Sequence, residues 1–285
     1  MHRQYCGSTG KIDNCQCGVH LGYTSEKGYG LINSKLYIPE KWFDEEYEDK
    51  RKKTMIPDDL NFKTKNEIAS ELINTAFSEG VEAQWIGVDS AFGSDINFLN
   101  SLPKDKWYYA GIRSNEQVFV VKENASNVLG ASSKTKDTST LMAESVSVTE
   151  LSKKNETIWR DVILGEGAKG PIISKMSFHR VHLARSKKPA GEEVWLIMRE
   201  HSDGQIRYSI SNAPNNLSKV ALIKASTMRW PIEQCFGDGK GYLGMDQYEH
   251  RSWPAWHRHM TFVSIGLHLL LKLRLNSPSK KKLHF

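Results

Sequence analysis

Gln84-Trp85-Ile86-Gly87-Val88-Asp89-Ser90-Ala91-Phe92-Gly93 places a short uncharged run ahead of a carboxylate and a turn. Trp85 to Val88 is too short for a helix and carries no polar side chain, so it reads as a buried strand. Asp89 ends that strand. In α/β sheets the carboxyl ends of strands hold ligands, because a side chain leaves the core there while the backbone stays rigid. An aspartate in this place is also an ordinary turn former or helix N-cap. The spacing alone leaves both readings open.

Upstream, Thr64 and Glu67 form a T-x-x-E capping box. Ile68, Leu72 and Ala76 then repeat at four, and Gly80 is placed to end the helix. Further back, Cys17, Val19, Leu21 and Tyr23 alternate on one face of a strand that begins at Cys15. A turn at Ser25-Glu26-Lys27-Gly28 returns a second strand that ends at Pro39. No cap precedes this hairpin, so the chain reads as if it starts mid-sheet, with Asp13 in a turn region.

Downstream, Lys106 to Arg113 and Gln117 to Val121 read as strands. From about 125 to 157 the composition shifts to Ser, Thr and Lys, the mark of exposed linker. Strands follow at Ser177 to Arg185, Glu193 to Glu200 and Gln205 to Ser211, the last two flanking an Asp203-Gly204 turn. Helical periodicity returns at Asn216 to Met228 and continues to Arg274. The expected organisation is a catalytic-domain part over 1–124, a linker and β-rich insertion over 125–215, a helical part over 216–276 and a basic tail over 277–285. The fold class is α/β, a mixed sheet with flanking helices interrupted by a β-rich insertion.

The chain of 285 residues is 39% hydrophobic and 25% charged, which is enough apolar surface for a sizeable core and excludes wholesale disorder. A net charge of +6 is compatible with nucleic acid but equally with a mildly basic protein. Four cysteines are too few for a disulfide scaffold. Cys15 and Cys17 have one residue between them, so core thiols fit Cys6, Cys15 and Cys17 better than a zinc site with His20. The longest apolar run, Met260 to Leu271, falls short of the ~20 residues that span a bilayer and reads as a buried helix. The expected compartment is reducing and cytoplasmic.

Arg229 to Gly244, RWPIEQCFGDGKGYLG, sets an acid between two bases. Pro231 suits the first turn of a helix. At roughly 100° per residue Glu233, Phe236 and Lys240 share a face, and Arg229 joins it if the helix runs through Pro231. Ordinary charge pairing on a solvated face is the alternative. Gly237 and Gly239 lie between Glu233 and Lys240, and each costs a helix about 1 kcal/mol relative to Ala.

This segment resembles the third-acid helix of the DDE insertion-sequence transposases, in the subgroup with a β-strand insertion. Their signature runs Tyr, two residues, Arg, three residues, Glu, six residues, Lys. Arg229, Glu233 and Lys240 match it, while Ser226 stands at the Tyr position. RQYCGSTGKIDNCQCGV (3–19), LYIPEKW (36–42), WIGVDSAFG (85–93) and LGMDQYEHRSWPAWHRHM (243–260) are similar to the same family in collinear order. The resemblance implies an RNase H-like fold in which two aspartates and a glutamate bind two Mg²⁺ or Mn²⁺ ions for DNA cleavage and strand transfer. Asp89 matches the second aspartate and Glu233 the glutamate, as metal ligands and catalytic acids. Arg229, Lys240, Arg251 and Arg258 would face DNA phosphates. Trp159 is the insertion aromatic suited to stacking on an unpaired base, and Trp195 reads as core. The implied partners are double-stranded DNA, as transposon ends and target, and a second copy in a homodimer, at a bacterial-type nucleoid. The family's first aspartate lies upstream of the RQY segment, so the expectation is a chain truncated at its N-terminus and impaired in catalysis. A non-catalytic DNA-binding remnant and a structure-selective nuclease are the two other expectations. His257 and His259 read as aromatic packing with a basic edge.

Overall fold

The computed structural model describes residues 2–6, 9–122, 140–141, 144–167 and 170–276. In chain order the strands are β1 His2–Cys6, β2 Lys11–Cys15, β3 Cys17–Ser25, β4 Gly28–Tyr37, β5 Trp85–Val88, β6 Trp107–Ile112 and β7 Gln117–Lys122, followed by β8 Thr140–Leu141, β9 Val146–Ser147, β10 Arg160–Gly167, β11 Gly170–Arg185, β12 Lys188–Glu200 and β13 Ile206–Ser211. The helices are α1 Glu48–Thr54, α2 Lys65–Ser78, α3 Ser90–Gly93, α4 Ile96–Ser101, α5 Val148–Lys153, α6 Lys219–Met228, α7 Trp230–Leu243 and α8 Trp253–Asn276. Two compact units result: residues up to Glu82 join those from Met228 onward, and Ala83–Thr227 form the other.

The first unit is built on two antiparallel hairpins, β1–β2 and β3–β4. The β3–β4 register pairs Ser25 with Gly28 across the expected turn. Helix α2 packs on this hairpin, burying Ile68, Leu72 and Ala76. Its capping box forms in full: the Thr64 hydroxyl accepts from the Glu67 amide, and the Glu67 carboxylate accepts from the Thr64 amide at 2.7 Å. Two expectations are corrected here. The β1–β2 hairpin precedes the one read from the sequence, and Asp13 lies within β2, opposite Gln4, rather than in a turn. Lys-Ile-Asp-Asn-Cys has no apolar alternation, so periodicity could not reveal it.

In the second unit β5 lies parallel to β6, and the rest of the sheet is antiparallel, in the order β5-β6-β13-β12-β11-β7-β8 with β9 on β7 and β10 on β11. The long strands β11 and β12 therefore continue the sheet that β5 begins. They do so because β13 pairs with β6 and β11 with β7. Tyr109, Met176, Trp195, Ile197 and Ala213 form its buried core with Leu222 and Ala225 of α6. Trp195 is thus core, as its apolar strand predicts. The sheet is mixed and flanked by helices, consistent with an RNase H-like α/β fold. About half of the linker reading over 125–157 lies outside the described residues. Within its described part, α5 stands where no helix was expected, nucleated by a Ser147–Glu150 capping box. The basic tail lies outside the described residues.

The C-terminal segment is not continuously helical. Gly244 takes a left-handed conformation (φ 63°) that stops α7, and α8 starts only at Trp253. Helix α8 buries Trp256, Met260, Val263 and Leu267, while Phe262, Ile265 and Leu269 are exposed. The apolar run is therefore half buried rather than a wholly buried helix. Among the described residues no helix is long and apolar enough to cross a membrane.

Candidate active site and nucleic-acid interface

Asp89 sits at the carboxyl end of β5, extended (φ −81°, ψ −179°), one residue before α3. Its Oδ1 accepts the amides of Ala91 (2.8 Å) and Phe92 (3.4 Å), so the capping role is realised. The side chain remains exposed and has no ion-pair partner among the described residues. Two glycines let this turn settle on the neighbouring strand. A Cβ on Gly93 would fall 2.1 Å from the Gly111 carbonyl oxygen, and one on Gly111 would fall 3.1 Å from the Ser90 amide. The acid is thus presented from a rigid strand end rather than from a loop.

Glu233 belongs to the other unit, in the first turn of α7. Arg229 is the residue before the helix, yet its backbone is already helical (φ −79°, ψ −32°), so it keeps the helical register past Pro231. Its guanidinium meets Glu233 Oε1 at 3.1 Å, an i,i+4 pair in which Glu233 stays exposed. Ser226, at the Tyr position of the signature, bonds its own helix through the Ile223 carbonyl at 2.6 Å.

The helix is unbroken from Trp230 to Leu243, so the glycines do not disturb the register of Lys240. Gly239 has a packing reason: its Cβ would meet Met245 Sδ at 3.1 Å. Gly237 and Gly241 have no close neighbour of that kind, and nothing in the structure explains them. Lys240 is exposed.

Beneath α7 lies a residue whose role the sequence did not reveal. His20 of β3 is edge-on to Phe236 (5.6 Å between ring centroids) and tilted against Trp256 (6.2 Å). Its Nδ1 is 2.8 Å from Ser34 Oγ. Burial, aided by the Lys240 charge, pushes its pKa down to about 4, so the ring is neutral. A second hidden group is Asp238, which is 3% exposed, accepts from Tyr29 Oη (2.9 Å) and pairs with Arg274 (2.8 Å). No local spacing signals either contact, because the partners come from distant segments.

Arg251 is exposed in the loop before α8, and Arg258 is exposed on α8. The histidines beside Arg258 are structural. His257 stacks on Trp253 (4.3 Å), and its ring bonds the Trp253 carbonyl. His259 Nε2 donates to the Gly244 carbonyl at 3.1 Å and packs on Tyr248. Trp159 is half-buried just ahead of β10. Among the described residues Cys6, Cys15, Cys17 and Cys235 form no disulfide. Cys15 is pushed up to about 11, mainly by burial and then by Cys6, so it is a neutral thiol at pH 7.

Among the described residues no group of three His, Cys, Asp or Glu side chains is gathered as a metal site. Asp89 and Glu233 are exposed carboxylates, oxygen donors of the type a hard divalent cation takes. The comparisons with known proteins bear on this point. No curated protein matches the chain. A family model described as DDE superfamily endonuclease matches residues 1–171, a segment that contains β5, Asp89 and the turn that holds it and stops short of α7. With more than half of its length matched, the chain belongs to the DDE superfamily endonucleases.

Proposed function

We propose that the chain belongs to the catalytic domain of an insertion-sequence transposase, whose reaction is metal-dependent DNA cleavage and strand transfer, and that this reaction is impaired in this chain because the family's first aspartate has no counterpart assigned in it. The observation that carries this reading is Asp89: an exposed carboxylate without a counter-ion among the described residues, held on a strand end by a glycine-lined turn, inside the segment that matches the endonuclease family. Glu233 supplies the second carboxylate of the reading, with the spacing of the family signature as its support.

Asp89 and Glu233 are the oxygen donors that would hold Mg²⁺ or Mn²⁺. Bound there, the metal would supply charge to activate a hydroxyl nucleophile and to stabilise the leaving oxygen of a phosphodiester. The chain's own contribution is positional. Asp89 spends Oδ1 on two amides, which fixes the orientation of the carboxylate. Arg229 orients Glu233 and brings positive charge beside it, which offsets the repulsion between a carboxylate and an approaching phosphate. Lys240, one face-repeat further along α7, Arg251 and Arg258 are exposed cations available to phosphate oxygens. Trp159 is the aromatic proposed to stack on an unpaired base.

The test is nicking and strand transfer with Mg²⁺ or Mn²⁺ on duplex DNA carrying the element's ends. Asp89→Asn is the informative variant, because Asn caps a helix as well as Asp does while removing the charge. Folding stability is expected to change by less than about 0.5 kcal/mol. Cleavage is expected to fall at least about a thousandfold, the equivalent of ~4 kcal/mol of transition-state stabilisation. Glu233→Gln is expected to lose cleavage likewise. Undiminished cleavage in either variant removes that acid from the site. Cutting without joining would assign a structure-selective nuclease instead, and binding without cutting a DNA-binding remnant.

A further inference from the structure

The first unit contains a cleft of about 420 Å³ whose wall has no acidic residue among the described residues. His2 and Arg3 line it from β1, Lys50 and Lys53 from α1, and Arg251 from the loop before α8, with Trp42 and Tyr47 as aromatic walls. Helix α1 has the sequence Glu-Asp-Lys-Arg-Lys-Lys-Thr, and its four bases are not equivalent. Lys52 is tied to Glu48 at 2.6 Å, and Arg51 donates to the Trp42 carbonyl at 3.0 Å. Lys50 and Lys53, three residues apart and so on one helix face, are the two that line the cleft. Neither has a carboxylate partner among the described residues, and the same holds for Arg3 and Arg251. Lys50 instead sits over the Tyr47 ring, its ammonium 4.4 Å from the centroid.

Four basic side chains around one cavity, without a carboxylate partner among the described residues, repel one another. That repulsion is strongest where water is excluded and is screened by salt. A surface with that cost is relieved by an anion, and by a polyanion most of all, because each neutralised phosphate also releases condensed counter-ions. Trp42 is 8% exposed, and its indole N–H is buried without an acceptor among the described residues.

We propose that this cleft binds the phosphodiester backbone of DNA, with Arg3, Lys50, Lys53 and Arg251 as its phosphate contacts. The inference rests on the proposed function and deepens it: it adds a DNA-contacting surface carried by β1 and α1, elements that hold none of the acids assigned to cleavage. Lys50 and Lys53 are matched by no motif of the sequence, and Arg3 lies far from them along the chain, so only the folded arrangement brings the three together.

The experiment is fluorescence anisotropy of a labelled DNA duplex with the full chain over a range of salt concentrations. The variants are Lys50→Ala/Lys53→Ala, Arg3→Ala and, as control, Lys52→Ala, whose lysine belongs to the same helix but is paired with Glu48. Circular dichroism and the unfolding midpoint establish that each variant is folded. The double variant is expected to bind about tenfold more weakly at moderate salt. The slope of log K against log salt should become shallower by about 2, and by about 1 for Arg3→Ala. Lys52→Ala is expected to match the parent. If the parent binds DNA and the cleft variants bind equally well with an unchanged slope, the inference is overturned while the transposase reading stands. If the parent itself does not bind DNA, that reading fails and takes the inference with it.

Discussion

Asp238 and Glu233 are acids five positions apart on one helix, and their surroundings give them opposite uses. Glu233 is exposed beside one arginine. Asp238 is enclosed, and although burial pushes its carboxyl up, hydrogen bonds from Arg274, Tyr29 and Gln234 together hold it below the usual carboxylate range. Tyr29 is held above its ordinary value, mainly by its own burial and then by its bond to Asp238. A depressed carboxylate stabilises the fold above its unfolded pKa. That contribution is lost as pH falls through the lower folded value. The expected outcome is a loss of stability that sets in below about pH 4 and is blunted in Asp238→Asn. At pH 7 the Asn variant should be less stable by about 1–2 kcal/mol. That is below the cost of breaking a fully buried pair, because Arg274 is 35% exposed and water screens it. Urea unfolding at pH 7 and pH 3.5 checks both; parallel curves for parent and variant would remove Asp238 from the acid response.

Among elements, the ones legible in the sequence carry their own start and stop signals. The β5 strand has the bounds that its uncharged run predicts, and α2 has the cap and the terminal glycine, Gly80 at φ 89°, that its flanks announce. The α7 register was readable because the family spacing and the helical period agree, and the helix tolerates its glycines. The elements that escaped have weak local signals. Strand β2 is polar, α5 is six residues long, and the β11–β12 connection is a two-residue turn with no glycine. In that turn Ser186 (φ 50°) and Lys187 (φ 60°) both adopt left-handed backbone, which two-residue hairpins favour and non-glycine residues resist. Asn-Gly suits this geometry. Ser186→Asn with Lys187→Gly is therefore expected to stabilise the chain by about 1 kcal/mol, read as a raised urea midpoint with an unchanged slope. A lowered midpoint would mean that the side chain of Ser186 or Lys187 is needed where it stands.

At the scale of the whole molecule, the fold class was legible but the site only in part. A mixed sheet with flanking helices follows from the order of strand and helix signals, whereas the continuation of β5–β6 into β13, β12 and β11 depends on pairings between distant segments. The same holds for chemistry. Asp89 and Glu233 are singled out by local pattern and family spacing and are proposed as site residues on that basis, while His20, the Asp238–Arg274 pair and the basic cleft are products of tertiary placement. The proposed metal role of the two acids has a consequence that needs no catalysis to read. An ion that binds the folded chain and not the unfolded one adds about 2.7 kcal/mol of stability when its concentration is a hundred times its Kd, and so raises the unfolding midpoint. Mn²⁺ is therefore expected to raise the midpoint of the parent chain, and EDTA to reverse the rise. If Asp89 and Glu233 hold the same ion, each of Asp89→Asn and Glu233→Gln alone should abolish most of the shift, and the double variant should do no more than either single one. Independent sites would instead give two partial losses that add. A full Mn²⁺ shift in the double variant would show that the metal is held by other residues, and the assignment of both acids would fall with it.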